Sequence, residues 1–200
     1  MNDLIGLVSV AVALLSYVVY IYSVFRGRSK PHAISWGIWA TLSGFVFFEQ
    51  LANQAGPGAW VTACATLGNG AIFLIALWKG EKSIHRLDWL CLGLVILLLI
   101  FWQKLTDPTV TIGFAVAIVL LGFIPTIRKV RKNPFGESVP AFLLNSVKFG
   151  VALMALNVIS FATALYPAAL GVVNLLFAAF LLYEQARHRR QITEKQKRRK

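Results

Sequence analysis

Seven apolar runs, each long enough to cross a lipid bilayer, divide this chain almost end to end and leave it few ways to fold. A bilayer core takes about 17–25 predominantly apolar residues per helix. Runs of that kind are Leu4–Phe25, Ile34–Ala52, Ala59–Trp78, Trp89–Leu105, Val110–Ile127, Val139–Phe161 and Leu165–Tyr183. Hydrocarbon offers backbone N–H and C=O groups no water, so each run must satisfy its own as a helix. The expected fold class is all-α, a polytopic membrane protein with seven transmembrane helices. Composition agrees, since 58% hydrophobic and 14% charged residues leave too little polar side chain to cover a water-soluble domain. Pro31, Pro57, Pro108, Pro134, Pro140 and Pro167 are expected in loops or first turns, where a missing N–H costs nothing. Only Pro125 is expected inside a span, where it frees a carbonyl and predicts a kink.

The formal net charge of +12 does not point to nucleic acid, because the charges sit in short clusters between apolar runs. Their placement reads as membrane orientation. Arg26, Arg28 and Lys30 follow the first span, Lys79, Lys82 and Arg86 the third, and Arg128, Lys129, Arg131 and Lys132 the fifth. The second and sixth loops carry no Lys or Arg, and Lys104 in the fourth is balanced by Asp107. Basic residues near span ends stay on the cytoplasmic side. The N-terminus is therefore expected outside a bacterial-type inner (plasma) membrane. The tail, with Arg187, Arg189, Arg190, Lys195, Lys197, Arg198, Arg199 and Lys200, is expected in the cytoplasm, where it also attracts anionic lipid. Met1-Asn2-Asp3 lacks the basic start of a signal peptide, so the first run is expected to remain as a span. Cys64 and Cys91 lie inside apolar runs and read as small hydrophobes.

An internal repeat appears at an offset of 106, with Val10–Leu15 over Val116–Leu121, Ile21 over Ile127 and Gly44 over Gly150. The same offset lays the basic loop after span one on that after span five, and span two on span six. Span three pairs with span seven through Leu67-Gly68 over Leu170-Gly171. The expected organisation is a first triplet over 1–80, a linker helix over 81–107, a second triplet over 108–185 and a basic tail over 186–200. An odd linker helix leaves both triplets in one orientation, a 3+1+3 parallel repeat.

In this arrangement the chain resembles the PQ-loop and SWEET superfamily, over roughly residues 4–184. The family motif is a Pro-Gln pair near the inner end of the first helix of each triplet, followed by a basic loop. The second copy reads Ile124-Pro125-Thr126 before Arg128-Lys129-Val130-Arg131-Lys132, keeping the Pro and replacing the Gln; the first reads Val18-Val19-Tyr20 and keeps neither. The resemblance implies seven helices with N-terminus out and C-terminus in. It also implies a substrate site bearing an Asn from the third helix of each triplet, for which Asn69 and Asn174 are the matching residues.

Polar groups inside a membrane are costly unless satisfied, which makes them the default functional candidates. Asn69, Asn174 and Lys148 each fall about 13–15 Å from a span end at about 1.5 Å per residue, near the bilayer centre. Asn145 lies one turn from Lys148 on the same face of span six, and Trp39 is its partner at the repeat offset of 106. The two asparagines could instead bond between helices beside Gly68, Gly70 and Gly171. Lys148 has no Asp or Glu at its depth, so an anionic solute, a neutral amine, a wet cavity or snorkelling must compensate it. Trp36, Tyr17 and Tyr20 could line a pocket or pack in the core, whereas Trp60, Trp78, Trp89 and Trp102 at span ends read as interface anchors. His32, His85 and His188 lack metal-ligand spacing, and neither a nucleophile–base set nor a phosphate-cradling loop is legible.

The expectation is a facilitative carrier, not an enzyme, for a small polar or anionic solute. It needs no cofactor, metal or nucleic acid, its partners are the lipid bilayer and the solute, and a homo-oligomer is left open. Asn69, Asn174, Lys148, Asn145 and Trp39 would hold the solute, with Pro125 as a hinge. The rival is a non-transporting receptor or accessory protein of the same architecture. A wet midplane cavity favours transport; polar groups paired inside a closed bundle favour the rival.

Overall fold

The computed structural model describes residues 1–102 and 104–197. Gln103 in the fourth run and Arg198, Arg199 and Lys200 in the tail lie outside the described residues. Among the described residues there is no strand. The chain forms α1 (Asn2–Phe25), α2 (Ala33–Ala52), α3 (Trp60–Lys79), α4 (Arg86–Trp102), α5 (Pro108–Lys132), α6 (Val139–Met154) and α7 (Phe161–Lys197), with short 3-10 turns at Gly56–Ala59 and Pro134–Gly136. Four stretches are long and apolar enough to cross a membrane: Asn2–Phe25, Gly56–Lys79, Pro108–Lys132 and Phe161–Glu194. Large apolar side chains such as Leu4, Leu7, Leu67, Trp78 and Leu176 stand exposed on the outside of the bundle, a surface suited to lipid and not to water. The chain is an all-helical protein of membrane type.

Helix ends follow local chemistry. Pro108 opens α5 behind Asp107, whose carboxylate accepts from the backbone N–H groups of Thr109 at 2.7 Å and Val110 at 3.1 Å. Ser160 and Thr163 form a reciprocal cap that starts α7: each hydroxyl accepts the other residue's backbone N–H, at 3.0 and 3.3 Å. That cap explains the first departure from expectation. The sixth run does not continue to Phe161 as one helix; α6 stops at Met154, and residues 155–160 form a connection before α7 begins.

Two further expectations need correction. Pro167 lies inside α7, past its first turn, where it leaves the carbonyl one turn earlier without an intrahelical donor. The basic tail continues the last helix, since α7 runs unbroken to Lys197 through helix-favouring Gln, Arg, Glu and Lys, with a Glu184–Arg187 pair at 3.6 Å. Trp102 is buried against Phe45, with ring centroids 5.8 Å apart, and so packs in the core instead of anchoring an interface. Trp78 and Trp89 are exposed at helix ends as expected. Around Pro125, α5 stays helical for nearly two more turns, to Lys132.

The packing has an exchange property. α3 lies against both α1 and α2, and α7 lies against both α5 and α6; α1 crosses to α6, and α5 crosses to α2. Swapping α1, α2 and α3 for α5, α6 and α7 leaves this neighbour pattern unchanged, while α4 rests on α5 and α2 outside it. The crossings correspond at one pair of contacts. Ser16 meets Asn145 where α1 crosses α6, and Gly122 meets the Trp39 indole where α5 crosses α2; the two contacts lie 106 positions apart at both partners. At Gly122 an added Cβ would come within 2.5 Å of Trp39 Nε1, so the absence of a side chain is what lets the ring sit against α5.

Candidate functional site

Where the crossings meet, a cavity forms between the helices. All five residues singled out as solute ligands line it: Trp39 from α2, Asn69 from α3, Asn145 and Lys148 from α6, and Asn174 from α7. Tyr17, Trp36, Phe123, Phe142, Phe149 and Tyr166 complete most of the wall. The volume open to the centre of a water-sized molecule is ≈ 30 Å³, room for a water or two in this conformation.

Lys148 is the strongest anomaly in this wall. It is 1% exposed, so its side chain does not snorkel to an interface, and it makes no ion pair among the described residues. Its ammonium donates to Tyr17 Oη at 2.9 Å, and it stands 4.2 Å from the centre of the Tyr17 ring and 5.0 Å from that of Phe149. Ring faces attract a cation but do not neutralise it. The Tyr17 hydroxyl in turn donates to Asn69 Oδ1 at 3.0 Å, with the Ala65 carbonyl farther off at 3.5 Å. Asn145 accepts from the Ser16 hydroxyl at 2.7 Å, and Asn174 donates to the Leu170 carbonyl at 2.8 Å within its own helix. Trp39 donates to the Val119 carbonyl at 3.4 Å.

Both ends of the cavity are shut, by different means. The basic end gathers the loops rich in Lys and Arg. There the buried Glu137 carboxylate accepts from Tyr20 Oη at 2.6 Å and pairs with the Lys129 ammonium, which also donates to the Lys30 and Gly136 carbonyls. The Lys30 amide bonds the Gly136 carbonyl at 3.0 Å, tying the α1–α2 loop to the α5–α6 loop. Alongside, the fully buried Asp88 takes Arg128 Nε at 3.1 Å, the His85 amide at 2.7 Å and His32 Nε2 at 3.3 Å. Asp88 and His32 stand just outside the apolar stretches of α4 and α2. Burial pushes the His32 imidazole below its ordinary pKa, with the Asp88 charge pulling the other way. Burial alone would raise the Asp88 carboxyl, but the Arg128 and His85 hydrogen bonds and the neighbouring positive charges bring it below its ordinary value.

The neutral end has no ion pair among the described residues. The Asn157 amide bonds the Ala55 carbonyl at 3.1 Å, and Asn2 donates to Asn157 Oδ1 at 3.0 Å and to the Leu156 carbonyl at 3.4 Å. Gly56 turns the chain there with φ of 63°, and an added Cβ would collide with the Asn157 amide.

Several participants are not singled out by sequence reasoning. Ser16 carries a readable signal, since Ser9, Ser16 and Tyr20 share one buried face of α1. Glu137 and Asp88 are carboxylates beside basic loops, which resemble ordinary solvated charges until the loops are seen to meet. Comparison with family models, curated proteins and solved structures finds no match.

Proposed function

We propose that the chain is a seven-span membrane carrier of 3+1+3 architecture, similar to the PQ-loop and SWEET superfamily, that moves a small polar or anionic solute by facilitated diffusion. The observation that carries this reading is the cavity: helices of both exchangeable halves supply its polar groups, and it is sealed at two ends by unrelated contacts. A site closed twice in different ways suits alternating access, in which one seal yields while the other holds. On this reading the small cavity belongs to an occluded form, and rocking of the halves about the Pro125 region enlarges it. The N-terminus lies outside an inner membrane, and the basic end faces the cytoplasm. The orientation fails if cysteine labels reach the Lys82 segment from outside and miss Ala55.

Uptake of a labelled solute panel into proteoliposomes tests the function. In an active protein, Lys148→Leu and Asn174→Leu should each cut uptake at least about tenfold, because each removes a polar group from the wall of a site inside the membrane. Unchanged uptake in both variants refutes the assigned residues. A non-transporting accessory role is the second reading. The internal pairing of Ser16 with Asn145 and of Tyr17 with Asn69 and Lys148 favours it, and it expects no solute movement at all.

A further inference from the structure

The hydrogen-bonding inventory of the cavity is lopsided. As an ammonium Lys148 can only donate, and its donation to Tyr17 Oη leaves the tyrosine hydrogen for Asn69 Oδ1 at 3.0 Å, nearer than the Ala65 carbonyl at 3.5 Å. With Asn69 Oδ1 accepting, the Asn69 NH₂ makes no hydrogen bond among the described residues. Asn145 has its oxygen occupied by Ser16 and its NH₂ likewise unbonded. Trp36 is 2% exposed, and its buried indole N–H makes no hydrogen bond among the described residues. Against these donors and the remaining N–H groups of Lys148, the wall retains few unbonded acceptors, Asn174 Oδ1 and the Tyr166 hydroxyl.

We infer that the ligand of this cavity is a small monocarboxylate, an inference that rests on the carrier reading and narrows its solute class. A carboxylate brings about four lone-pair sites and no proton, which matches a wall of spare donors. A neutral polyol brings one proton with every hydroxyl and would face some of those protons toward N–H groups. The charge count points the same way: one buried ammonium without a carboxylate partner calls for one negative charge, and a dianion would leave one unmatched. The remaining wall, from Trp39, Phe123, Phe142 and Phe149, asks for a carbon body and disfavours a bare inorganic ion.

The test is thermal unfolding of the purified full-length protein in detergent with acetate, lactate or benzoate at about 10 mM, beside acetamide, lactamide, benzamide and sodium chloride at equal ionic strength. At least one carboxylate should raise the midpoint by about 3 °C or more over its own amide and over chloride. Lys148→Met keeps the stem and removes the charge, and it should abolish the shift. Trp36→Phe keeps an aromatic ring and removes the spare N–H, and it should weaken the apparent affinity about 3- to 10-fold; it serves as the test variant if Lys148→Met does not fold. Stabilisation by the amides equal to that by the carboxylates, or by chloride alone, or by none of the panel, overturns the inference. In the first of those cases the carrier reading survives. A carboxylate-specific shift with no counterflow of that carboxylate in proteoliposomes upholds the anion site and sinks the carrier reading instead.

Discussion

The two ends of the bundle do the same geometric job with opposite chemistry. At the neutral end, closure relies on backbone, one asparagine pair and small residues around Gly56 and Pro57. At the basic end, it relies on two buried carboxylates, Glu137 and Asp88, each holding a cation from α5. The difference follows from where the Lys and Arg residues fall. Loops that carry them cannot close over one another unless the charges are paired, since a lone buried charge costs several kcal/mol. Paired, those charges make closure sensitive to ionic conditions, and Asp88 with His32 adds a dependence on pH. The neutral end has no such coupling, and a carrier with one sensitive and one indifferent seal would respond to its surroundings from one side only.

The largest expected effect that would break this contrast is Glu137→Leu, which strands the Lys129 ammonium and should cost about 3 kcal/mol or more in thermal unfolding. Adding Lys129→Met should restore most of the loss; if the single variant is silent, the basic end is not held as described. Asp88→Asn should cost about 2–3 kcal/mol by weakening the Arg128 bonds. Gly56→Ala, at the other end, should cost about 1–2 kcal/mol for left-handed backbone, with the displaced Asn157 amide as a further loss. Smallest is Asn2→Ala, at about 1 kcal/mol or less.

A pH series sharpens the same contrast. The native state keeps His32 neutral and Asp88 ionised, both with lowered pKa, so it binds fewer protons than the unfolded chain. Stability is therefore greatest above the unfolded histidine pKa of about 6.5. As pH drops, the His32 share is lost through its lowered pKa, and the Asp88 share is lost in more acid solution. His32→Phe should flatten the unfolding midpoint just below neutral pH, whereas Asn2→Ala should leave its pH profile unchanged. An identical profile for wild type and His32→Phe would remove the pH coupling from the basic end.

Sequence reading went furthest where a single physical rule dominates. The apolar runs were legible because lipid tolerates little else, and the cavity residues because uncompensated polar groups inside such runs are rare. Asn69, Asn145, Lys148 and Asn174 stood out on four different turns, yet they line one space. What stayed hidden depended on contacts between distant segments. Lys148 is satisfied in part by an aromatic face 131 positions away, a partner that no charge count finds. Glu137 becomes a seal only when Tyr20 and Lys129 converge on it. The end of α6 was missed because Ala155 and Leu156 are as apolar as what precedes them, and the stop is written in the cap at Ser160.

The uninterrupted course of α7 has a practical consequence. Its 37 residues make a rod of about 55 Å at about 1.5 Å per residue, against a hydrocarbon slab of about 30 Å. A folded soluble module spliced in helical register onto the last turns would ride on that rod as a stiff handle. The orientation of a protein too small to align by itself in electron micrographs could then be read from its mast.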